Sequence, residues 1–223
     1  MKNKEDILQS IIKQGVLPLF YYNDVSVCIE AIRTLYNAGI RVMEFTNRAE
    51  GALEVYTEIR KQVAAEMRDL FFGAGTIKTL KQAIAFAQAD ADFFVAPNLN
   101  EEVASFSNDQ NMLCIPGCMT PSEIHVAQQH NVALIKIFPA NVLGAGFISA
   151  VKEVFPGQLF MPTGGVEIST QNIARWFDAG VAAVGMGGKL ISKEILQNKS
   201  WDELFDRTRT VLQIIKDVKE KKL

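Results

Sequence analysis

The chain has 223 residues, 48% hydrophobic and 22% charged, with 15 Gly and 7 Pro, a composition that supports one sizeable core and excludes a disordered, collagenous or miniature disulfide-stapled protein. Lysine plus arginine (23) nearly balances aspartate plus glutamate (25), and the net charge of −2 offers no electrostatic surface for wrapping nucleic acid. Apolar runs such as Val181 to Val184 fall far short of the ~20 residues of a membrane span, and the charged first fifteen residues are no signal peptide, so a soluble, cytoplasmic protein without nucleic-acid or membrane partners is expected.

In chain order, Ile7, Leu8, Ile11 and Ile12 predict an N-terminal helix ahead of the first strand. Short β-branched or aromatic runs then begin near Val16, Arg41, Leu70, Ala91, Asn111, Val132, Gln158 and Val181, with starts 20 to 29 residues apart. Each interval holds a strand, a turn and a crossover helix, so neighbouring strands run parallel. The intervals keep helical time: Val25, Cys28, Ile29, Ile32, Leu35 and Tyr36 recur at helical spacing after an Asp24 cap, and Ala38-Gly39 ends the element. Trp201, Leu204, Phe205, Leu212, Ile215 and Val218 predict a last helix, and the closing KDVKEKKL reads as its solvated end. The strands LFFGAG, ADFFVAP, ALIKIFP and AAVGMGG are nearly continuous hydrophobic runs, as in sheets covered on both sides. Eight such units without a linker predict a single domain over residues 1–223, an α/β fold of the (β/α)8 barrel type with an extra N-terminal helix. An open doubly wound sheet competes but does not require eight evenly spaced units.

Three cysteines, Cys28, Cys114 and Cys118, cannot all pair among themselves and read as free thiols. Cys114 and Cys118 lack a second cysteine pair, and His125 and His130, five apart, fall on different faces of any helix, so no zinc site is legible. Both histidines read as exposed residues of the fifth crossover helix and take no role. Gly185, Gly187 and Gly188 lack the third glycine of a dinucleotide fingerprint, and Gly188-Lys189 is followed by Leu190 where a phosphate-binding P-loop needs Ser or Thr.

In a barrel the chemistry stands at the C-terminal ends of the strands. Lys136 interrupts the apolar run from Val132 to Phe138, where burial disfavours an ammonium and leaves the free amine that attacks carbonyls. A Schiff base is one use; a lysine that snorkels to the rim or pairs with a carboxylate is the structural alternative. Glu44, inside the run from Ile40 to Phe45, fits either that ion pair or an acid/base moving protons at a carbonyl substrate. Arg48 offers a planar fork to a carboxylate, or is an ordinary surface arginine. Together the three describe a site for a 2-oxo acid. Gly164, Gly165, Gly187 and Gly188, ending strands 7 and 8, suit backbone binding of phosphate. Thr76 and Thr163 supply hydroxyls that either meet substrate oxygens or cap helices.

The segments EFTNR (44–48), GAGT (73–76), IPGCMTPSE (115–123), IKIFPA (135–140) and PTGG (162–165) resemble the class I aldolases for 2-keto-3-deoxy-6-phosphogluconate (KDPG) and 4-hydroxy-2-oxoglutarate (KHG), in order and at the expected strand ends over residues 16–190. The resemblance implies a metal-free (β/α)8 barrel, commonly a homotrimer, that reversibly cleaves a 2-oxo-4-hydroxy acid to pyruvate and an aldehyde with no cofactor beyond the Schiff base on Lys136. It implies that Glu44 is the general acid/base, that Arg48 and Thr76 hold the pyruvate carboxylate region, that Pro97 and Phe138 shape the pocket, and that Thr163, Gly164 and Gly165 line the rest of the substrate and its phosphate. Two positions depart from the pattern: Lys189 follows the last Gly-Gly where phosphogluconate-type members carry Ser, and Asn47 stands where Leu is common. Lys189 either grips a phosphate more strongly or serves another acidic tail. Two other readings compete: a barrel lyase or isomerase acting on another sugar phosphate without a covalent intermediate, and a barrel that binds 2-oxo acids without turnover.

Overall fold

A computed structural model describes residues 3–220. The first helix, α1 (Lys4–Gln14), starts at Asn3, whose side chain accepts from Glu5 N–H at 3.1 Å, and ends at left-handed Gly15 (φ 75°). There follow β1 (Val16–Phe20), α2 (Val25–Asn37), β2 (Val42–Thr46), α3 (Ala52–Glu66), β3 (Phe71–Gly75), α4 (Leu80–Gln88), β4 (Phe93–Val95), α5 (Glu101–Asp109), β5 (Leu113–Ile115) and β6 (Gly117–Cys118). The chain continues through α6 (Pro121–Gln129), β7 (Leu134–Ile137), α7 (Ala140–Val154), β8 (Leu159–Pro162), α8 (Thr170–Asp178), β9 (Val184–Met186), α9 (Lys193–Asn198) and α10 (Trp201–Glu220). Asp24 caps α2 as expected, accepting from Val27 N–H at 3.0 Å. Of the expected stripe the last helix buries Leu204, Ile215 and Val218, leaves Trp201 and Leu212 half-buried and Phe205 36% exposed, and buries Val211 in addition. The end of the KDVKEKKL tail beyond Glu220 lies outside the described residues.

All eight expected runs form strands and every pairing is parallel. The closed eight-stranded barrel is corrected to a curled parallel sheet, a half-barrel: six strands in the order β5-β4-β3-β2-β1-β9 and three in the order β6-β7-β8. Pro116 has no N–H for a ladder and divides the fifth run into β5 and β6. Its carbonyl still accepts from Lys136 N–H at 2.9 Å. At the other side β8 and β9 meet through the single bridge Thr163–Gly185 and the bond from Ala182 N–H to the Phe160 carbonyl, 2.9 Å.

Side chains alternate between the two faces of each strand. Leu17, Val42, Phe93, Val95, Leu113, Ile115, Leu134, Met161 and Ala183 form one buried cluster with Ile7, Leu8 and Ile11 of α1. Their neighbours Val16, Met43, Phe94, Cys114, Ile135, Phe160 and Val184 join the other helices in the second cluster. The first cluster is the inner face, and α1 packs against it. Glu44, Lys136 and Thr163 each stand two residues beyond an inner-face residue, Val42, Leu134 and Met161, and so continue that face at the C-terminal ends of the strands. Outside, Arg60 of α3 pairs with buried Asp92 at 2.9 Å, and Asp92 also accepts from Phe72 N–H at 2.7 Å, tying α3 to β3. Among the described residues no helix is long and apolar enough to cross a membrane.

Candidate active site

β7 delivers Lys136 to the inner face through a run that would otherwise be entirely apolar, and the side chain ends 94% removed from solvent. Burial depresses its pKa; the nearby Glu44 charge opposes this and the Arg48 charge reinforces it. Its Nζ lies 4.9 Å from the Phe138 ring centroid, and Phe138, 36% exposed, covers it at the rim. On β2, Glu44 is fully buried, and burial holds its pKa above the ordinary carboxyl range against the pull of Lys136 and Arg48. Its Oε2 has no hydrogen-bond partner. Desolvation thus drives amine and carboxyl alike towards their uncharged forms, which favours nucleophilic attack by the one and proton transfer by the other.

Thr163 Oγ1 is the second orphaned buried oxygen on this face. Its bridge partner Gly185 makes room for it: a Cβ there would lie 2.2 Å from Oγ1. Buried oxygens without partners call for a ligand to satisfy them. Gly75 makes similar room for Glu44, because a Cβ on it would fall 1.7 Å from Oε1. Thr76, next in the chain, is half-buried with φ 60°, a left-handed conformation that strains a β-branched residue and marks functional turns. Pro97 is half-buried beside β6, where Gly117 allows the Pro97 carbonyl a close approach; Gly117 in turn registers with Lys136. Arg48, exposed after β2, acts electrostatically on both Glu44 and Lys136.

The two glycine turns lie side by side because Thr163 bridges Gly185. Gly164 (φ 99°) and Gly165 (φ 73°) adopt backbone open to glycine, with the Asn141 side chain laid against them. Among the described residues the N–H groups of Gly164, Gly165, Gly188 and Lys189 donate no hydrogen bond, so the pair of turns forms a nest of free donors suited to an anion. Lys189, expected to address the substrate tail, has its ammonium 3.5 Å from Glu167.

Glu44, Lys136, Thr163 and the glycine turns are therefore brought to one rim. Gly75, Asn141 and Glu167 escaped the sequence reading: the first two act by making room or filling it, which leaves no chemical signature, and Glu167 matters only through a partner 22 positions away. His125 is exposed on α6, but His130 is corrected from exposed to half-buried, because it caps that helix and pairs with Glu101 at 3.0 Å. Among the described residues no group of three or more His, Cys, Asp or Glu is placed to hold a metal ion.

A parallel α/β fold with a desolvated amine and a desolvated carboxyl at the C-terminal rim of its strands is the framework of an aldolase, a carbon–carbon lyase. The chain belongs to the KDPG and KHG aldolase family, whose model matches residues 7–207. It is 28% identical to the 2-dehydro-3-deoxy-phosphogluconate aldolase of Haemophilus influenzae over 95% of this chain and 98% of that one. It is 27% identical to the KHG/KDPG aldolase of Escherichia coli, over 96% and 98%. The KDPG aldolase of Legionella pneumophila, solved with pyruvate captured as a covalent carbinolamine, superposes with a TM-score of 0.84 at 25% identity, over 92% of this chain and 97% of that one.

Proposed function

We propose that this aldolase reversibly cleaves 2-oxo-4-hydroxy acids, KDPG to pyruvate and glyceraldehyde 3-phosphate or KHG to pyruvate and glyoxylate, through a Schiff base on Lys136. The observation that carries the reading is the buried pair of Lys136, held below the ordinary lysine range, and Glu44, held above the ordinary carboxyl range. The uncharged Lys136 amine adds to the substrate C2 carbonyl, and the carbinolamine hydroxyl leaves as water with the proton of the Glu44 carboxyl, giving an iminium and an ionised Glu44. Glu44 takes the C4 hydroxyl proton, directly or through water; the C3–C4 bond breaks, the aldehyde leaves, and its bonding electrons pass to the iminium nitrogen as an enamine. Protonation at C3 and hydrolysis release pyruvate and free Lys136. Arg48 and Thr76 address the carboxylate, Pro97 and Phe138 bound the pocket, and Thr163, Gly164, Gly165, Gly187, Gly188 and Lys189 face the remainder of the substrate.

The same proposal includes a metal-independent reaction, a homotrimer and a cytoplasmic setting, each resting on the family resemblance. The readings as a non-covalent sugar-phosphate lyase or isomerase and as a binding-only barrel are not favoured by full-length relatives that are aldolases. Borohydride reduction in the presence of pyruvate is expected to add one adduct per chain, at Lys136. Lys136→Met is expected to abolish both adduct and pyruvate release, and Glu44→Gln to retain the adduct while turnover falls by roughly 10²-fold or more. An adduct on another lysine, or none, overturns the assignment.

A further inference from the structure

The nest of free N–H donors at the two glycine turns would favour an anionic tail, and a lysine beside it would ordinarily strengthen that preference. Here the lysine is already engaged. Lys189 follows Gly187 and Gly188, and its ammonium lies 3.5 Å from a Glu167 carboxylate oxygen. Both partners are anchored from behind. Asn172 of α8 accepts from Glu167 N–H at 3.0 Å and donates to the Gly165 carbonyl at 3.1 Å, fixing the backbone of Glu167 two residues beyond the first glycine turn. Arg207 of α10 donates to the Lys189 carbonyl at 3.3 Å and pairs with Glu203 at 2.6 Å. The lysine charge beside the anion nest is thus matched by a carboxylate 3.5 Å away. A dianionic phosphate meets repulsion from Glu167 or must draw Lys189 away from it; a carboxylate tail, with half the charge, meets less of either.

We infer that Glu167 is a specificity-determining residue that engages Lys189 and turns this aldolase away from phosphorylated tails towards shorter, singly charged ones. This rests on the aldol reading above and concerns only the distal end of that site. The glycine turns bind the tail through backbone donors, and Glu167 sets how much charge they accept. The pair is exposed, so its influence is modest and falls with added salt.

The test is the ratio of kcat/KM for KDPG to that for KHG. In Glu167→Gln the ratio is expected to rise roughly fivefold, equivalent to about 1 kcal/mol, carried by a lower KM for KDPG and shrinking as salt is added. Glu167→Ala is expected to give the same change, which guards against an effect particular to the glutamine amide. Adding Lys189→Ala to Glu167→Gln is expected to remove the gain, because the freed ammonium produces it. A ratio that stays put or falls in both Glu167 variants, or a gain that survives loss of Lys189, overturns the inference and leaves the aldol reading intact. Failure of the wild-type enzyme to release pyruvate from either acid overturns that reading, and this inference with it.

Discussion

Lys136 and Glu44 cannot be understood singly, because each is part of the field that tunes the other. Burial has the larger effect and lowers the pKa of Lys136; Glu44 raises it against burial, and Arg48 lowers it further. Protonated Lys136 cannot attack a carbonyl, so adduct formation falls as pH drops through its pKa in the folded protein. Removing an anion that raises this pKa moves the acid limb down: Glu44→Gln is expected to keep forming the pyruvate adduct at lower pH than wild type. Removing a cation that lowers it moves the limb up, so Arg48→Gln is expected to lose the adduct at higher pH. Cyanoborohydride trapping across pH reads both, and shifts of the same sign in the two variants would contradict the arrangement. The lysine was legible in the sequence as a charge in an apolar run. The pairing with Glu44 was legible as one of two readings, but the influence of Arg48 on Lys136 was not, since a residue after β2 and one on β7 meet only after the sheet curls.

At the level of single elements, β3 shows how a glycine pattern divides between packing and chemistry. A Cβ on Gly73 would fall 2.4 Å from the Phe93 ring, in the inner core, whereas one on Gly75 would strike the Glu44 carboxylate. Gly73→Ala is therefore expected to cost ~1–3 kcal/mol of stability by overpacking, measured by urea unfolding, with residual activity following the folded fraction. Gly75→Ala is expected to displace the Glu44 carboxylate and lower kcat while the pyruvate adduct still forms. Thr76, read from the sequence as a substrate-binding or helix-capping hydroxyl, is the strained end of the GAGT segment at φ 60°. Which glycine served which purpose depended on register, Glu44 opposite Gly73 and Thr46 opposite Gly75.

For the molecule as a whole, two hydrophobic clusters separated by one layer of strands determine where chemistry is possible. α1 packs with the inner cluster, so the reactive groups stand at the opposite ends of the strands, where the inner face turns polar. The same burial silences the cysteines: Cys28, Cys114 and Cys118 are free and buried, and desolvation pushes each thiol up to about 12. A thiol reagent such as dithionitrobenzoate is expected to leave all three untouched in the native protein at pH 8 and to titrate three after urea unfolding. Rapid reaction of any one in the native state would show that a core cluster opens.

The hydrophobic pattern by itself determined the alternation of strands and helices, the parallel direction of the strands and the place of Lys136 within an apolar strand, because burial of apolar side chains at a fixed spacing is a local property of the chain. The N-terminal helix and the Asp24-capped start of α2 were legible for the same reason. Closure was not: whether eight units complete one hydrogen-bonded ring depends on Pro116, which has no N–H to give, and on the single bridge between Thr163 and Gly185. Tertiary structure alone also decided that Lys189 meets Glu167, that Asn141 lies on the glycine turn, and that Glu44 and Thr163 are left with unpartnered oxygens. These are distances between segments remote in sequence, and they follow from how the sheet curls and packs.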